Sequence, residues 1–594
     1  MYQYTEFDRQ FVKLRAEQHR DQLVRWQQGQ LADEEFRPLR LQNGWYVQRY
    51  APMLRVAVPY GEISSKQLSV LATIAKDFDQ PDEAVFAKAQ AQQDLLPGKA
   101  PKLIKAYGHF TTRQNVQFNW IPLSKSADVM DLLATVDMHG IQTSGNCIRN
   151  ITTDELAGVA IDEVVDPRPY AEILRQWSTL HPEFAFLPRK FKIAISGATE
   201  DRAAIGWHDV GLQLVKDAKG EVGFKVWVGG GMGRTPVIGT LVREFLPWQH
   251  IMNYLEAVVR VYNRWGRRDN LYKARIKILV KAEGQRYIDE VEAEFEEILE
   301  KDGGPHTITQ AEFDRVAACF VEPIASLSFA VSVNANLADA AFQRWLKQNV
   351  VLHKNPALRA VTLSFKRLGL APGDATAEQL EASAQLVEKY SRGEARVTHS
   401  QNLVLPWVQE NHLYDLWQEA KALGLASPNI GLLNDMIACP GGDYCALANA
   451  RAIPVAAAIS ERYQDLDELD DLGPIDLHIS GCINSCGHHH SGHIGILGVD
   501  KDGKEWYQIT LGGSDGSELS GKAGAGKVVG PSFSAAEVPE VIEAVIHKYL
   551  ELRVAGKHGD NGRNEYFIET LRRVGQDAFK TAANSVRHTE PELA

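Results

Sequence analysis

Two helical patterns of apolar residues stand out along this chain, one from 61 to 78 (GEISSKQLSVLATIAKDF) and one from 373 to 390 (GDATAEQLEASAQLVEKY). Each opens with glycine, then Ser or Thr at an N-cap position, then Gln-Leu and an apolar face. Strands announce themselves differently. In IDLHIS (475–480), Ile475, Leu477 and Ile479 alternate with other residues, which predicts a strand, and KFKIAIS (190–196) predicts another. In TTRQNVQFN, alternation puts Thr111, Arg113, Asn115, Gln117 and Asn119 on one strand face, opposite Val116, Phe118 and Trp120. A long helical stretch is predicted from about 247 to 301. The alanine-rich ALANARA after Cys445 predicts a further helix.

These patterns repeat in order. The run 109–121 (HFTTRQNVQFNWI) resembles 396–408 (RVTHSQNLVLPWV). The corresponding face of the second copy, Thr398, Ser400, Asn402, Val404 and Pro406, carries no charge. Only the first copy keeps an arginine, as a site used asymmetrically would. The first copy is longer, and the excess falls in the Ala/Gln/Lys-rich stretch from Pro81 to Ala106, which predicts a surface insertion. The expected fold class is α/β (α+β), a pseudo-twofold, internally duplicated multidomain chain with a site between its halves. The expected units are an arm (1–45), a first copy (46–160), an α/β unit (161–325), a second copy (326–420), a second α/β unit (421–580) and a tail (581–594).

At 594 residues the chain exceeds one core. Its formal net charge of −12 argues against a general nucleic-acid binder. No secretory signal is visible, and no apolar run reaches the roughly 18 residues a membrane span needs. The expected compartment is the cytoplasm.

Of six cysteines, four lie as Cys439-x5-Cys445 and Cys482-x3-Cys486, while Cys147 and Cys319 stand alone. An acidic chain without a signal has little reason to gather thiols for disulfides, so the four predict a metal or iron–sulfur site. The x5 spacing is a poor zinc signature, and four thiolates suit a cubane cluster. Pro440, Gly441 and Gly442 force a turn, and Gly481 and Gly487 let backbone approach a cluster closely. In LPRKFK, Lys190 and Lys192 share a strand face with Cα atoms roughly 6.5 Å apart, and Arg189 points away. Two adjacent cations call for an anion or for water. Arg149, in SGNCIRN, is by itself one arginine among many.

Three motifs carry less. Gly521-KAGA-Gly526-Lys527 has P-loop spacing, but Val528 stands where Ser or Thr should hold Mg²⁺. GGGMGRTP departs from G-x-G-x-x-G at Arg234. His488, His489, His490 and His493 read as polar loop residues beside the cysteines rather than as ligands.

Taken together, the cysteine pattern, TTRQN-x-Q, the Arg149 segment and PRKFK resemble, in this order, the sirohaem/[4Fe–4S] sulfite and nitrite reductase family. The resemblance spans roughly residues 36 to 580. It implies ferredoxin-like half-domains at 46–160 and 326–420, and sirohaem and cluster-binding α/β domains at 161–325 and 421–580. It implies that Cys439, Cys445, Cys482 and Cys486 ligate a [4Fe–4S] cluster and that Cys486 also bridges to sirohaem, with Asn484 and Gln117 near the cofactor. It implies an anion pocket of Arg113, Arg149, Lys190 and Lys192, with Arg55 and Arg189 binding sirohaem carboxylates. Lys192, where nitrite reductases usually carry asparagine, favours assimilatory reduction of sulfite to sulfide, with nitrite as the alternative. With no flavin or nicotinamide domain visible, the expected electron donor is a ferredoxin or a flavoprotein subunit. In some members of the family a cysteine near Arg149 is crosslinked to tyrosine, which marks Cys147 for inspection.

Overall fold

The computed structural model describes residues 1–49, 52–94, 103–322, 339–556 and 562–587. Parts of the expected insertion, of the start of the second copy and of the tail lie outside the described residues. Among those described, each half supplies ten strands. The first half contributes β1 (Trp45–Val47), β2 (Pro52–Val56), β3 (Glu62–Ser64), β4 (Tyr107–Phe110), β5 (Val116–Phe118), β6 (Thr152–Thr153), β7 (Ile193–Ser196), β8 (Val210–Lys216), β9 (Val222–Val228) and β10 (Thr240–Pro247). The second contributes β11 (Val350–Leu352), β12 (Leu358–Leu363), β13 (Asp374–Thr376), β14 (Glu394–Val397), β15 (Leu403–Gln409), β16 (Ile437–Ala438), β17 (Leu477–Ser480), β18 (Ile494–Lys501), β19 (Lys504–Leu511) and β20 (Lys527–Val528).

Four five-stranded sheets follow, and they match in pairs. The sheets β10-β9-β8-β7-β6 and β20-β19-β18-β17-β16 each join a short parallel strand, a central strand and an antiparallel ribbon. The other two, β1-β2-β5-β4-β13 and β11-β12-β15-β14-β3, exchange an edge strand. Each half completes its sheet with a strand from the other, which ties the duplicated halves together through backbone hydrogen bonds. Side chains reinforce the exchange: His109 Nδ1 meets Asp374 Oδ1 at 2.8 Å across β4–β13, and at the matching place across β14–β3 Arg396 faces Glu62.

The two repeated helices form as read, Ser65–Asp77 and Ala377–Tyr390. Ser64 and Thr376 cap them, and Gln67 and Gln379 close a capping box in each, an arrangement that contributes about 1 kcal/mol per cap. The helices pack on one another, and their apolar faces share one core with both exchanged sheets. The first 45 residues, expected as an arm, form the helices Glu6–Gln27 and Asp33–Gln42. The first of these buries Val12, Ala16, His19 and Leu23 and packs on the helix Ser126–Ala134.

Several local readings need correction. TTRQN is not strand: residues 111–115 form the turn between β4 and β5, with Gln114 at φ +57°. The turn is held from inside, because Gln114 bonds both to Thr153 O and from Thr153 N (3.0 and 3.1 Å). ALANARA is not a helix. Asn449 and Ala450 donate their N–H groups to Gly481 O (2.9 and 3.0 Å), and a helix begins only at Ile453. The long helical stretch is three helices, Ile251–Trp265, Ile276–Glu283 and Gln285–Glu300. The insertion is no bare surface feature: its helix Glu83–Asp94 packs Phe86 edge-on against Trp120, which in turn meets Tyr444, next to Cys445. Among the described residues no helix is long and apolar enough to cross a membrane.

Candidate functional site: a cationic cleft beside four cysteines

The C-terminal ends of the parallel strands aim their loops at a cleft between the halves. The β4–β5 turn brings Thr111, Thr112 and Arg113, β5 brings Gln117, and the segment before β6 brings Arg149 and Asn150. Lys190 and Lys192 arrive just before β7. Ile193 is the first residue of that strand, and Phe191 alone bridges to Ile148. From the second half come Gln401, Cys439, Asn484, Cys486 and His488, and Arg55 enters from β2. Among the described residues no Asp or Glu lines the cleft, against five cations: Arg55, Arg113, Arg149, Lys190 and Lys192.

The arginines are aimed by backbone carbonyls. Arg113 donates to Asn150 O (2.7 Å) and Thr152 Oγ1 (3.0 Å), and Arg149 donates to Thr143 O (2.7 Å) and twice to Gly145 O (2.7 and 3.1 Å). Carbonyls fix the guanidinium without cancelling its charge, so the cleft stays positive. Arg55 donates to Gln117 Oε1 (2.8 Å), and Gln117 passes a bond on to Asn119. Burial pushes the Lys190 ammonium down to about 8; Cys486 opposes the shift, and Arg149 and Arg275 add to it. Lys192 is lowered further, by burial first and then by Arg113 and Lys190. Burial also lowers the Arg113 guanidinium, with Arg149 and Arg275 adding like-charge repulsion. An anion in the cleft would relieve all three.

The four cysteines come from two loops, 439–445 and 482–486, and are free thiols. Cys439 and Cys486 open into the cleft; Cys445 and Cys482 do not line it. The thiols interact: Cys486 and Cys482 both raise Cys439, after burial, and Cys486 and Cys445 raise Cys482. Among the described residues no three His, Cys, Asp or Glu gather tightly enough for a single ion. Backbone approaches closely here, as a Cβ on Gly481 would lie 2.7 Å from Gly441 Cα. Gly481 N–H donates to Cys439 Sγ (3.2 Å) and Asn484 Nδ2 to Cys482 Sγ (3.5 Å). Glycine-lined loops that aim N–H donors at sulfur fit an iron–sulfur cluster, whose potential such bonds tune.

Of the residues singled out from sequence, Arg55, Arg113, Gln117, Arg149, Lys190, Lys192, Cys439, Asn484 and Cys486 line one cleft. Arg189 does not; its nearest charges include Arg149 and Arg275. Cys147 lies in a separate pocket with Leu180, His181 and Phe184, its thiol donating to Ser144 O, and among the described residues no tyrosine lines that pocket. The histidines of the cysteine loop lie in that loop beside the cysteines. His489 and His493 are fully buried, and His488 lines the cleft. The glycine-rich loop 229–236 packs against the cysteine loop: Lys277 Nζ donates to Met232 O and Thr235 O (2.5 and 2.6 Å), and His490 Nε2 meets Gly233 O at 2.9 Å. Gln401, Lys277, Asp209 and Arg275 escaped the sequence reading. Only Gln401, the repeat partner of Gln114, left a signal there.

Strand register also pairs the two halves residue by residue. Thr153 bonds Gln114 as Ala438 bonds Gln401, and β7 pairs with β8 as β17 pairs with β18. Counting from these, Asp154 takes the place of Cys439 and Arg202 that of Cys486. Asp154 and Arg202 form an ion pair at 2.8 Å. One pseudo-equivalent site thus carries thiols, and the other is closed by a salt bridge.

Known proteins resemble this chain over most of its length. The sequence matches the nitrite and sulphite reductase 4Fe-4S domain family at residues 144–299 and 433–590, more than half of the chain. Residues 362–423 match the nitrite/sulfite reductase ferredoxin-like half domain. "Sulfite reductase [ferredoxin] 1" of Mycolicibacterium paratuberculosis is 29% identical over 75% of this chain and 74% of its own. "Ferredoxin--nitrite reductase" of Synechococcus elongatus is 26% identical over 91% and 96%. The solved structure of Mycobacterium tuberculosis NirA superposes with a TM-score of 0.69 at 25% identity, covering 92% of each chain. With the cysteine loops, the exchanged sheets and both matched regions in agreement, this chain belongs to the nitrite and sulphite reductase 4Fe-4S family.

Proposed function

We propose that the chain reduces sulfite to sulfide in the cationic cleft, with six electrons and six protons, the three oxygens leaving as water. The observation that carries this reading is the lining itself: five cations, no carboxylate, and Cys439 and Cys486 opening into the same space. The thiols of Cys439, Cys445, Cys482 and Cys486 would hold a [4Fe–4S] cluster, and Arg55 and the Cys486 side would receive a sirohaem. When bound, these groups supply the electrons, delivered by a ferredoxin-type donor. The rest is work for this chain's own residues.

Sulfite is a small dianion, and a partly buried dianion needs charge and hydrogen bonds together. Arg113 and Arg149 are held by carbonyls and offer their remaining N–H groups without reorganising. Lys190 and Lys192 can release protons as each oxygen departs, and Lys190, pushed down to about 8, can regain one near neutral pH. Asn150 and Gln117 line the cleft between the cations as neutral polar groups, Asn150 tied by its amide to Val58 O and Asn115 Oδ1.

Purified protein should show a Soret band and a red-shifted visible band together with a cluster, and should turn over sulfite with reduced ferredoxin. A cluster absorption alone, with no macrocycle bands, would mark an electron carrier and defeat the reading. The nitrite relatives favour a second reading, reduction of nitrite in the same cleft. Lys192→Asn discriminates. Removing one cation should lower kcat/KM for the dianion sulfite by about tenfold more than for the monoanion nitrite. Equal losses would remove Lys192 as the source of the preference.

A further inference from the structure

One carboxylate stands just behind the cations. Asp209, fully buried at the entry to β8, accepts from Arg275 Nε and Nη2 (3.0 and 2.7 Å) through Oδ1 and from the Lys192 backbone N–H (2.8 Å) through Oδ2. Arg113 faces it from the β4–β5 turn, Lys277 from the helix Ile276–Glu283 and Tyr262 from the helix Ile251–Trp265.

The duplicated half shows what the fold alone requires at this place. By register His493 occupies the position of Asp209, and Asp476 that of Lys192. Asp476 N–H donates to His493 Nδ1 (3.2 Å), just as Lys192 N–H donates to Asp209. The flanking backbone bonds repeat as well: Val210 N to Lys192 O with Ile494 N to Asp476 O, and Gly229 N to Asp209 O with Gly512 N to His493 O. The fold therefore needs an acceptor here and not a charge. A neutral ring performs that task in one half, so the negative charge in the other half answers to something else.

Its partner is Arg275, which lies near enough to lower Arg113, Lys190 and Lys192 by like-charge repulsion. We propose that Asp209 is a positioning residue for sulfite reduction, anchoring and neutralising Arg275 while holding the Lys192 backbone, so that the cleft's charge is matched to one dianion. The proposal rests on sulfite being reduced in this cleft. Arg275 is kept as a fixed wall and contributes little net charge. Lys192 is held by the same carboxylate, so the two cations keep a constant spacing.

The test is a charge cycle on the holoenzyme, with steady-state sulfite kinetics and a defined reduced ferredoxin. Arg275→Gln removes the ion-pair partner of Asp209, turns its negative charge toward Arg113 and the cleft, and should raise the sulfite KM about tenfold. Asp209→Asn keeps an acceptor for Lys192 N–H but frees Arg275; its KM should fall several-fold while kcat drops about tenfold. The double variant should return KM to within about threefold of the parent. Opposite shifts in the single variants, cancelling in the double, are what a counter-ion produces and a merely structural residue does not. Shifts in the same direction, or none above twofold, would overturn the proposal. Should Asp209→Asn fail to fold, Arg275→Gln decides alone, since an unchanged KM there is equally fatal. A parent enzyme that does not reduce sulfite would instead defeat the substrate reading, a separate failure.

Discussion

Cys486→Ser should abolish turnover while leaving the chain folded. Cys486 is exposed to the cleft and belongs to no hydrophobic core, so the exchange of sulfur for oxygen opens no cavity. Its loop is held without the thiol: Gly487 N donates to Ser480 Oγ (3.1 Å), and Thr112 Oγ1 donates to Cys486 O (2.9 Å). A serine hydroxyl is a far poorer iron ligand than a thiolate, which is the ligating and nucleophilic form of cysteine. Even changing a group that only hydrogen-bonds a metal ligand costs about 10–100-fold, so loss of a ligand should cost more, about a thousandfold in turnover. Iron analysis and absorption of the purified variant check this. Cluster and macrocycle bands should be lost together, and melting of the cofactor-free variant and cofactor-free parent should agree within about 2 °C. Full retention of both cofactors with normal rates would end the assignment of Cys486 as the residue joining them.

Arg113→Ala should do the reverse, keeping the spectrum and losing the chemistry. The guanidinium is tied to Asn150 O and Thr152 Oγ1, groups that cleft water can satisfy once it is gone. What is lost is a preoriented charged donor, so sulfite kcat/KM should fall about a hundredfold to a thousandfold, in the range set by removing one such donor elsewhere. Arg113→Lys should recover only part, because an ammonium restores charge without the planar fork. A loss of absorption in Arg113→Ala would assign the residue to cofactor retention instead. A parental kcat/KM would remove it from the anion pocket.

Much of the site was legible because cysteine spacing and cation type are properties of the chain itself. The x5 and x3 intervals with flanking glycines carry their chemistry at the level of the residues. The repeated helices were legible for a similar reason: Ser64 with Gln67 and Thr376 with Gln379 are local capping boxes, complete within four residues. The failures were non-local. TTRQN alternates as a strand does, but Gln114 finds Thr153 across the fold and takes a positive φ, so Arg113 reaches the cleft from a turn. ALANARA has every local reason to be a helix, and loses to two backbone bonds that Asn449 and Ala450 donate to Gly481 O. The histidine run reads as polar loop residues beside the cysteines, and the sequence gives no sign that His489 and His493 are fully buried.

From the sequence alone follow the duplication, the two spaced cysteine pairs and the presence of enough cations for an anion. Folding alone decided which half uses them. Asp154 with Arg202, and Cys439 with Cys486, occupy matching places, and one pair neutralises itself at 2.8 Å while the other stays open. Likewise Asp209 and His493 accept matching backbone bonds, and only the first brings a charge to the cations. The physical reason is distance: charge compensation depends on which groups lie within a few ångströms, and Asp154 with Arg202 and Asp209 with Arg275 are 48 and 66 residues apart in the chain.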